Sequence, residues 1–262
     1  MSHDLQILKK KPVPSSAEAQ GRKRGYRDSV RIAVEDEAAG EPCIEARALG
    51  LAGDNHYFQV TNPPYYTRIP GSIEQLFVRR SVGERLQRVN GRLLAAGLEI
   101  YLFDAWRPQA VQRHFHDVWF PAWLKHRAPH LAGAALTEEV EKYWAAPTAS
   151  EASPSPHSTG GAVDLTLRFI ATGQPLFMGG LFDDVTDDAW TDSFERRPII
   201  SMSDEEAQAN RRLLYWVMSE AGFANNPTEW WHYSWGDQMW AKLGGQPAAI
   251  FPACNPAGVP DA

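Results

Sequence analysis

From Val82 to Leu94 apolar residues recur at helical spacing (Val82, Leu86, Val89, Leu93, Leu94) and stop at Gly97, predicting an amphipathic helix closed by a glycine. Ser81 and Glu84 stand at capping-box distance and place its start. LEIYLFDAW then reads as a buried strand running into Arg107-Pro108. Pro108 opens the next helix, which carries Val111, Phe115 and Trp119 until Pro121 disrupts it. In GAVDLTLRF the alternation sends Val163, Leu165 and Leu167 to one face and Ala162, Asp164 and Thr166 to the other. A second capping box, Ser203 with Glu206, opens a helix that carries Ala207, Leu213, Leu214, Val217 and Met218 and ends near Gly222. EWWHYSW reads as an aromatic-rich strand. Strands and helices mixed without regular βα alternation predict an α+β fold, a small antiparallel or mixed sheet packed by helices.

Composition adds boundaries to this pattern. The chain has 262 residues, 44% of them hydrophobic, enough for one large domain with a substantial core. Its first 25 residues are rich in Lys, Arg, Pro, Ser and Ala with few large apolar residues. The expectation is a flexible basic arm over 1–40 and a single catalytic domain over 41–262. Residues 126–154 read as an Ala-, Pro- and Ser-rich surface connection with one short helix around Glu138 to Trp144.

Charge and cysteine usage exclude several function classes. A net charge of -6 with scattered Lys and Arg gives no footprint for nucleic acid, which points to small partners. No signal-peptide core and no long apolar run is present, so no membrane partner and a cytoplasmic location are expected. Cys43 and Cys254 lack CxxC spacing and read as structural thiols, with a single long-range disulfide left open. The sequence carries no signal for oligomeric state.

Two stretches carry chemistry. In SPHSTGGAVDLTL, Asp164 is directed away from the core-building residues, and Gly160 and Gly161 let the chain turn so that the His157 imidazole returns toward it. In PTEWWHYSWGD, Glu229 precedes His232 by three residues, so on a strand it must sit at the entrance or on a bulge to share a face with the imidazole. His157, Asp164 and His232 together make a ligand set suited to four-coordinate zinc with an open position, about one ion per chain. Glu229 then suits a general base, and Arg107, at the end of its strand, a cation that polarises a scissile carbonyl. His114 and His116 form a rival pair, but two residues apart on a helix they diverge. Ser155 and Ser158 have no GxSxG elbow around them.

SPHSTGGAVDLTL, TEWWHY and DAWRP together resemble the D-alanyl-D-alanine dipeptidases of the vancomycin-resistance type, from about Glu41 through Pro252. The family's SxHxxGxAxD pattern is matched by Ser155, His157, Gly160, Ala162 and Asp164, and its ExWH pattern by Glu229, Trp231 and His232. The resemblance implies a zinc site at the sheet face held by His157, Asp164 and His232, with Glu229 as base and Arg107 polarising the carbonyl. It further implies Asp183 near the substrate's amino end and Ser155 near its backbone. Trp230 stands where related D,D-carboxypeptidases have proline, which favours the dipeptidase branch. Leu49-Gly50 replaces a tyrosine usual in the family, so amino-end recognition is expected to differ.

The implied activity is hydrolysis of D-alanyl-D-alanine to two D-alanines, serving cell-wall precursor recycling or use as a nutrient. The alternatives are a peptidase for another small D-amino-acid or mixed-chirality peptide, including D,D-carboxypeptidase action, and a zinc-binding module without turnover.

Overall fold

The computed structural model describes residues 3–147 and 150–259; residues 1–2 of the expected arm, 148–149 of the expected connection and 260–262 lie outside the described residues. The chain opens with α1 (His3–Lys10), α2 (Ser16–Lys23) and α3 (Tyr26–Ser29), then β1 (Cys43–Glu45), β2 (Ala52–Gly53), β3 (Phe77–Arg79), α4 (Arg80–Leu93) and β4 (Leu98–Asp104). There follow α5 (Gln109–Arg113), a π-helical segment (His114–Trp119), α6 (Phe120–Arg127), α7 (Gly133–Glu141) and β5 (Ala162–Phe169). The last third holds α8 (Ser193–Arg196), α9 (Met202–Glu220), β6 (Ala224–Asn225), β7 (His232–Ser234) and α10 (Gln238–Gly244).

Five strands form one mixed sheet in the order β2-β4-β5-β7-β6, with β2 parallel to β4 and the other pairings antiparallel. The α+β reading therefore holds. Leu86, Val89 and Leu93 of α4 and Leu213, Leu214, Val217 and Met218 of α9 join Ile100, Leu165 and Leu167 of the sheet in one buried cluster. Gly97, in the left-handed region at φ 68°, closes the turn between the end of α4 and β4 as its position predicts.

Register in this sheet decides what shares a face. Ile100 pairs with Leu167 and Leu102 with Leu165, but the next pair is Asp104 with Asp164, so two residues on β4 oppose one on β5. This bulge at Phe103 moves Asp104 from the core side to the side of Asp164. Asp164 in turn pairs with His232 of β7, making a cross-strand row Asp104, Asp164, His232.

The structure adds to or departs from the pattern in several places. In the N-terminal segment, expected as an arm, α1 lays Leu5 and Leu8, both buried, against α9. Trp216 donates from Nε1 to the Lys11 carbonyl, and the Ser16 N–H donates to Asp192. A polar average conceals that two leucines three apart suffice to dock one helical turn when their basic neighbours find partners.

The connection after β4 is likewise more helical than expected, because Pro121 falls in the first turn of α6, where its missing N–H costs nothing. Trp144, at the end of that connection, is buried and stacks on Phe115 with ring centroids 4.0 Å apart. The caps also differ. Ser81 donates to Glu41 instead of capping α4, and α9 is capped by Ser201 accepting from the Asp204 N–H, two residues before the expected box. Among the described residues no helix is long and apolar enough to cross a membrane.

Candidate metal centre and its cleft

The His157 side chain is placed by a tight turn. Pro156–Thr159 form one turn of 3-10 helix ended by Gly160 at φ 71°, where a Cβ would come within 2.9 Å of Cys43 Sγ. Gly161 has the Trp235 carbonyl 2.6 Å from where its Cβ would be, so both glycines are required by close approach as well as by the turn. From behind, Cys254 donates its N–H to the Ser158 carbonyl, and its Sγ lies 2.6 Å from that of Cys43. Both cysteines are free thiols.

His157, Asp164 and His232 converge as the sequence pattern predicts. Their ligand-type atoms lie within 4.8 Å of one another, and all three residues are buried. His157 Nε2 is 3.3 Å from Asp164 Oδ2 and 3.2 Å from His232 Nδ1, while His232 Nδ1 is 3.1 Å from Asp164 Oδ1. The outer nitrogens are engaged: His157 Nδ1 meets the Ala105 carbonyl at 2.7 Å and His232 Nε2 meets Ser234 Oγ at 3.2 Å. A donated outer N–H leaves the inner nitrogen of each ring with a lone pair facing its neighbours. Asp164 Oδ1 is buried without a hydrogen bond. A buried carboxylate oxygen lacking a donor, set against two imidazole nitrogens, is the donor set that zinc takes, so the residues fit that ion.

Arg107 is held beside this cluster. Its Nε donates to Asp104 at 2.8 Å, Nη1 to Gln112 at 2.9 Å, and Nη2 to Asp164 at 3.1 Å and to the Tyr57 hydroxyl at 3.3 Å. Asp104 thus orients the guanidinium, a role the sequence did not disclose because the bulge that re-aims it leaves no mark in composition. Glu229 sits in the turn before β7, with its backbone carbonyl accepting from the His232 N–H and its carboxylate 3.5 Å from His232 Nδ1. It is at the strand entrance, as expected.

Burial pushes the Asp164 carboxyl up, but the His157 and His232 imidazoles overcome it and hold the group below the usual carboxylate range. Burial raises the Glu229 carboxyl as well, and there the net shift stays upward: His232 and Lys23 oppose it only in part and the Asp164 charge adds to the rise. A raised carboxyl is the property a proton acceptor near neutral pH requires.

Asp183 is buried at φ 59°, and its Oδ2 accepts from the hydroxyls of Tyr57 at 2.9 Å and Tyr65 at 2.8 Å. Burial, with the Asp164 charge, raises it well above its ordinary range. Although Leu49-Gly50 lacks the family tyrosine, two other tyrosines reach this carboxyl; their crowding in DNHYF and PPYY was the available signal. Ser155 opens the His157 turn, buried, and its carbonyl accepts from the Ser158 N–H and hydroxyl. His116 bonds the neighbouring Asp117 instead of meeting His114 at a shared centre.

A cleft of about 970 Å³ opens over these residues, lined by Arg107, His157, Asp164, Glu229 and His232 on its floor. Its walls include Asp183, together with Lys23 and Tyr26 from the N-terminal segment and Tyr143 and Trp144 from the connection. Trp231 lines it, whereas Trp230 packs inward, edge-on to Trp231 and with Arg211 over its ring.

Comparison with known proteins places the chain in a family. The peptidase M15 family, described as D-ala-D-ala dipeptidase, matches residues 50–247. The D-alanyl-D-alanine dipeptidase of Synechocystis is 33% identical over 229 residues, covering 80% of this chain and 88% of that protein. The D-alanyl-D-alanine dipeptidase of Enterococcus faecalis is 27% identical over 166 residues, covering 63% of this chain and 76% of that protein. A solved structure of VanYB in complex with D-alanine-D-alanine superposes with a TM-score of 0.40 at 15% identity, over 69% of this chain and 89% of that one, a likeness too loose to carry an argument. By the family match and the extent of the Synechocystis relative, the chain belongs to the D-alanyl-D-alanine dipeptidase family, a family of metallopeptidases.

Proposed function

We propose that this protein hydrolyses D-alanyl-D-alanine to two D-alanines, with zinc held by His157 Nε2, the Asp164 carboxylate and His232 Nδ1. The observation that carries this reading is the buried Asp164 carboxylate, its Oδ1 without a hydrogen bond, set against the His157 and His232 imidazoles, with a raised carboxyl, Glu229, 3.5 Å from His232. When bound, zinc would supply Lewis acidity, polarising the carbonyl and making water acidic enough to deprotonate at neutral pH.

The chain's own groups do the rest. Glu229 accepts the proton of the attacking water and passes it to the departing amine, which its position at the mouth of β7 allows without leaving the cleft. Arg107, fixed by Asp104 and Gln112, directs its guanidinium at the carbonyl oxygen and stabilises the charge that develops there. Asp183 takes the substrate ammonium; burial and the Asp164 charge raise this carboxyl more than Arg107 and the two tyrosines lower it, and the free amino group of a dipeptide adds a cation beside it. Ser155 holds the turn that carries His157 close to the peptide backbone.

The test is D-alanine release by purified, zinc-loaded protein from a panel of dipeptides and wall pentapeptides. Release from D-alanyl-D-alanine well above the others is expected. Equal release from the pentapeptide moves the protein to the carboxypeptidase alternative, and no release from any peptide leaves the non-catalytic module.

A further inference from the structure

Charged groups of both signs line the cleft: Asp183 with Arg107 and Asp164, and Lys23 of α2 with Asn226, Glu229 and His232. Lys23 is only 7% exposed, and its Nζ donates to Asn226 Oδ1 at 2.8 Å. Asn226 is itself tied to the machinery, since its N–H donates to the His232 carbonyl and its carbonyl accepts from the Glu229 N–H. The ammonium is therefore fixed relative to both the candidate ligand strand and the candidate base.

Of the other cations lining the cleft, Arg24 is exposed, Arg27 donates to the carbonyls of Ala146 and Ser153, Lys142 pairs with Glu139, and Arg107 is held by Asp104, Asp164 and Gln112 beside the candidate ligands. An ammonium carries three protons, and the Asn226 bond uses one of them. Burial lowers Lys23 to about 8, with the Glu229 charge opposing. A desolvated cation in this condition gains most from a small anion that enters the cleft beside it.

We infer that Lys23, with Asn226 positioning it, is the subsite for the terminal carboxylate of the substrate. The assignment rests on the dipeptidase reading and extends it: a zwitterion lies with its ammonium toward Asp183 and its carboxylate toward Lys23, which brings the peptide carbonyl over the floor between them. Lys23 lies outside residues 50–247, the part of the chain that matches the family, so the N-terminal helices supply a specificity element from beyond that region.

The experiment compares kcat/KM for D-alanyl-D-alanine and D-alanyl-D-alaninamide on zinc-loaded wild type, Lys23→Met and Lys23→Arg, with zinc content and melting temperature recorded for each. Wild type is expected to prefer the free carboxylate by about tenfold or more, the scale of one charge-assisted hydrogen bond, and Lys23→Met to erase that preference through KM while the amide changes by less than about twofold. Lys23→Arg is expected to keep the preference. Calorimetric titration of D-alanyl-D-alanine into Glu229→Gln, with and without Lys23→Met, is expected to show the same weakening in Kd. A Lys23→Met enzyme that retains the wild-type ratio overturns the inference and leaves the dipeptidase reading intact. Wild type without a preference overturns it whatever the stability of the variants, and wild type that releases no D-alanine removes both readings.

Discussion

The floor and the walls of the cleft are built by different rules. On the floor, Asp104, Asp164 and His232 are neighbours because three strands pair in a fixed register, and the backbone hydrogen bonds of β4, β5 and β7 hold their relative places. In the walls, Lys23, Trp144 and Asp183 come from three remote segments and are held by side chains: Trp144 by its stack on Phe115, Asp183 by two tyrosine hydroxyls, Lys23 by Asn226. Changing a floor residue removes a function without moving its neighbours. A changed wall residue shifts what fits while the chemistry beneath stays in place.

The contrast can be broken most sharply at the floor. His157→Ala is expected to reduce zinc from about one ion per chain to near none and to abolish turnover, because two remaining ligands leave the site incomplete. Metal analysis by mass spectrometry checks it, and full occupancy in this variant, or loss of metal in His114→Ala instead, refutes the ligand assignment. Next in size, Glu229→Gln is expected to keep its zinc while kcat falls by about 10²–10⁴, since the amide accepts no proton. Near-normal kcat there eliminates the proposed base.

Two further measurements address the walls. Leu5→Ala, at the buried face of α1, is expected to cost about 2–5 kcal/mol of stability in denaturant unfolding, with zinc content unchanged. An unchanged midpoint would mean that the N-terminal helices contribute nothing to the fold. The smallest effect concerns substrate length: N-acetyl-D-alanyl-D-alanine is expected to be cleaved at least about tenfold less efficiently than the free dipeptide, about 1.4 kcal/mol in transition-state binding, because acetylation removes the charge that Asp183 accepts. Equal kcat/KM for the two would show that Asp183 does not read the amino end.

The floor was more legible in the sequence than the walls, for the same physical reason. Alternation in GAVDLTLRF placed Asp164 opposite the core residues, and ExxH at a strand start required Glu229 to sit at the entrance, because a period of two constrains every side chain on a strand. Asp104 escaped because one inserted residue, Phe103, reverses the parity that the pattern implies. The walls escaped more fully. Leu5 and Leu8 are too few to stand out against a basic, proline-containing segment, and nothing local connects Lys23 with Asn226, which lies 203 residues away. Ser81 and Ser203 matched a capping pattern that neither fulfils: Ser81 bonds Glu41 and α4 has no side-chain cap, while α9 is capped by Ser201, since a serine next to a helix start has several partners within reach.

The bulge at Phe103 also has a bearing on how such a chain can change over generations. Because Asp104 reaches its neighbours only through an extra residue on β4, the inherited quantity at this place is the number of residues between Leu102 and Asp104 more than the identity of the one between them. Replacing Phe103 alters a half-buried ring packed on Phe182, whereas losing it by a three-base deletion would turn Asp104 back toward the core and release the guanidinium it orients. A substitution at Phe103 leaves that spacing intact and a deletion does not, so strand length is what sets the place of Asp104.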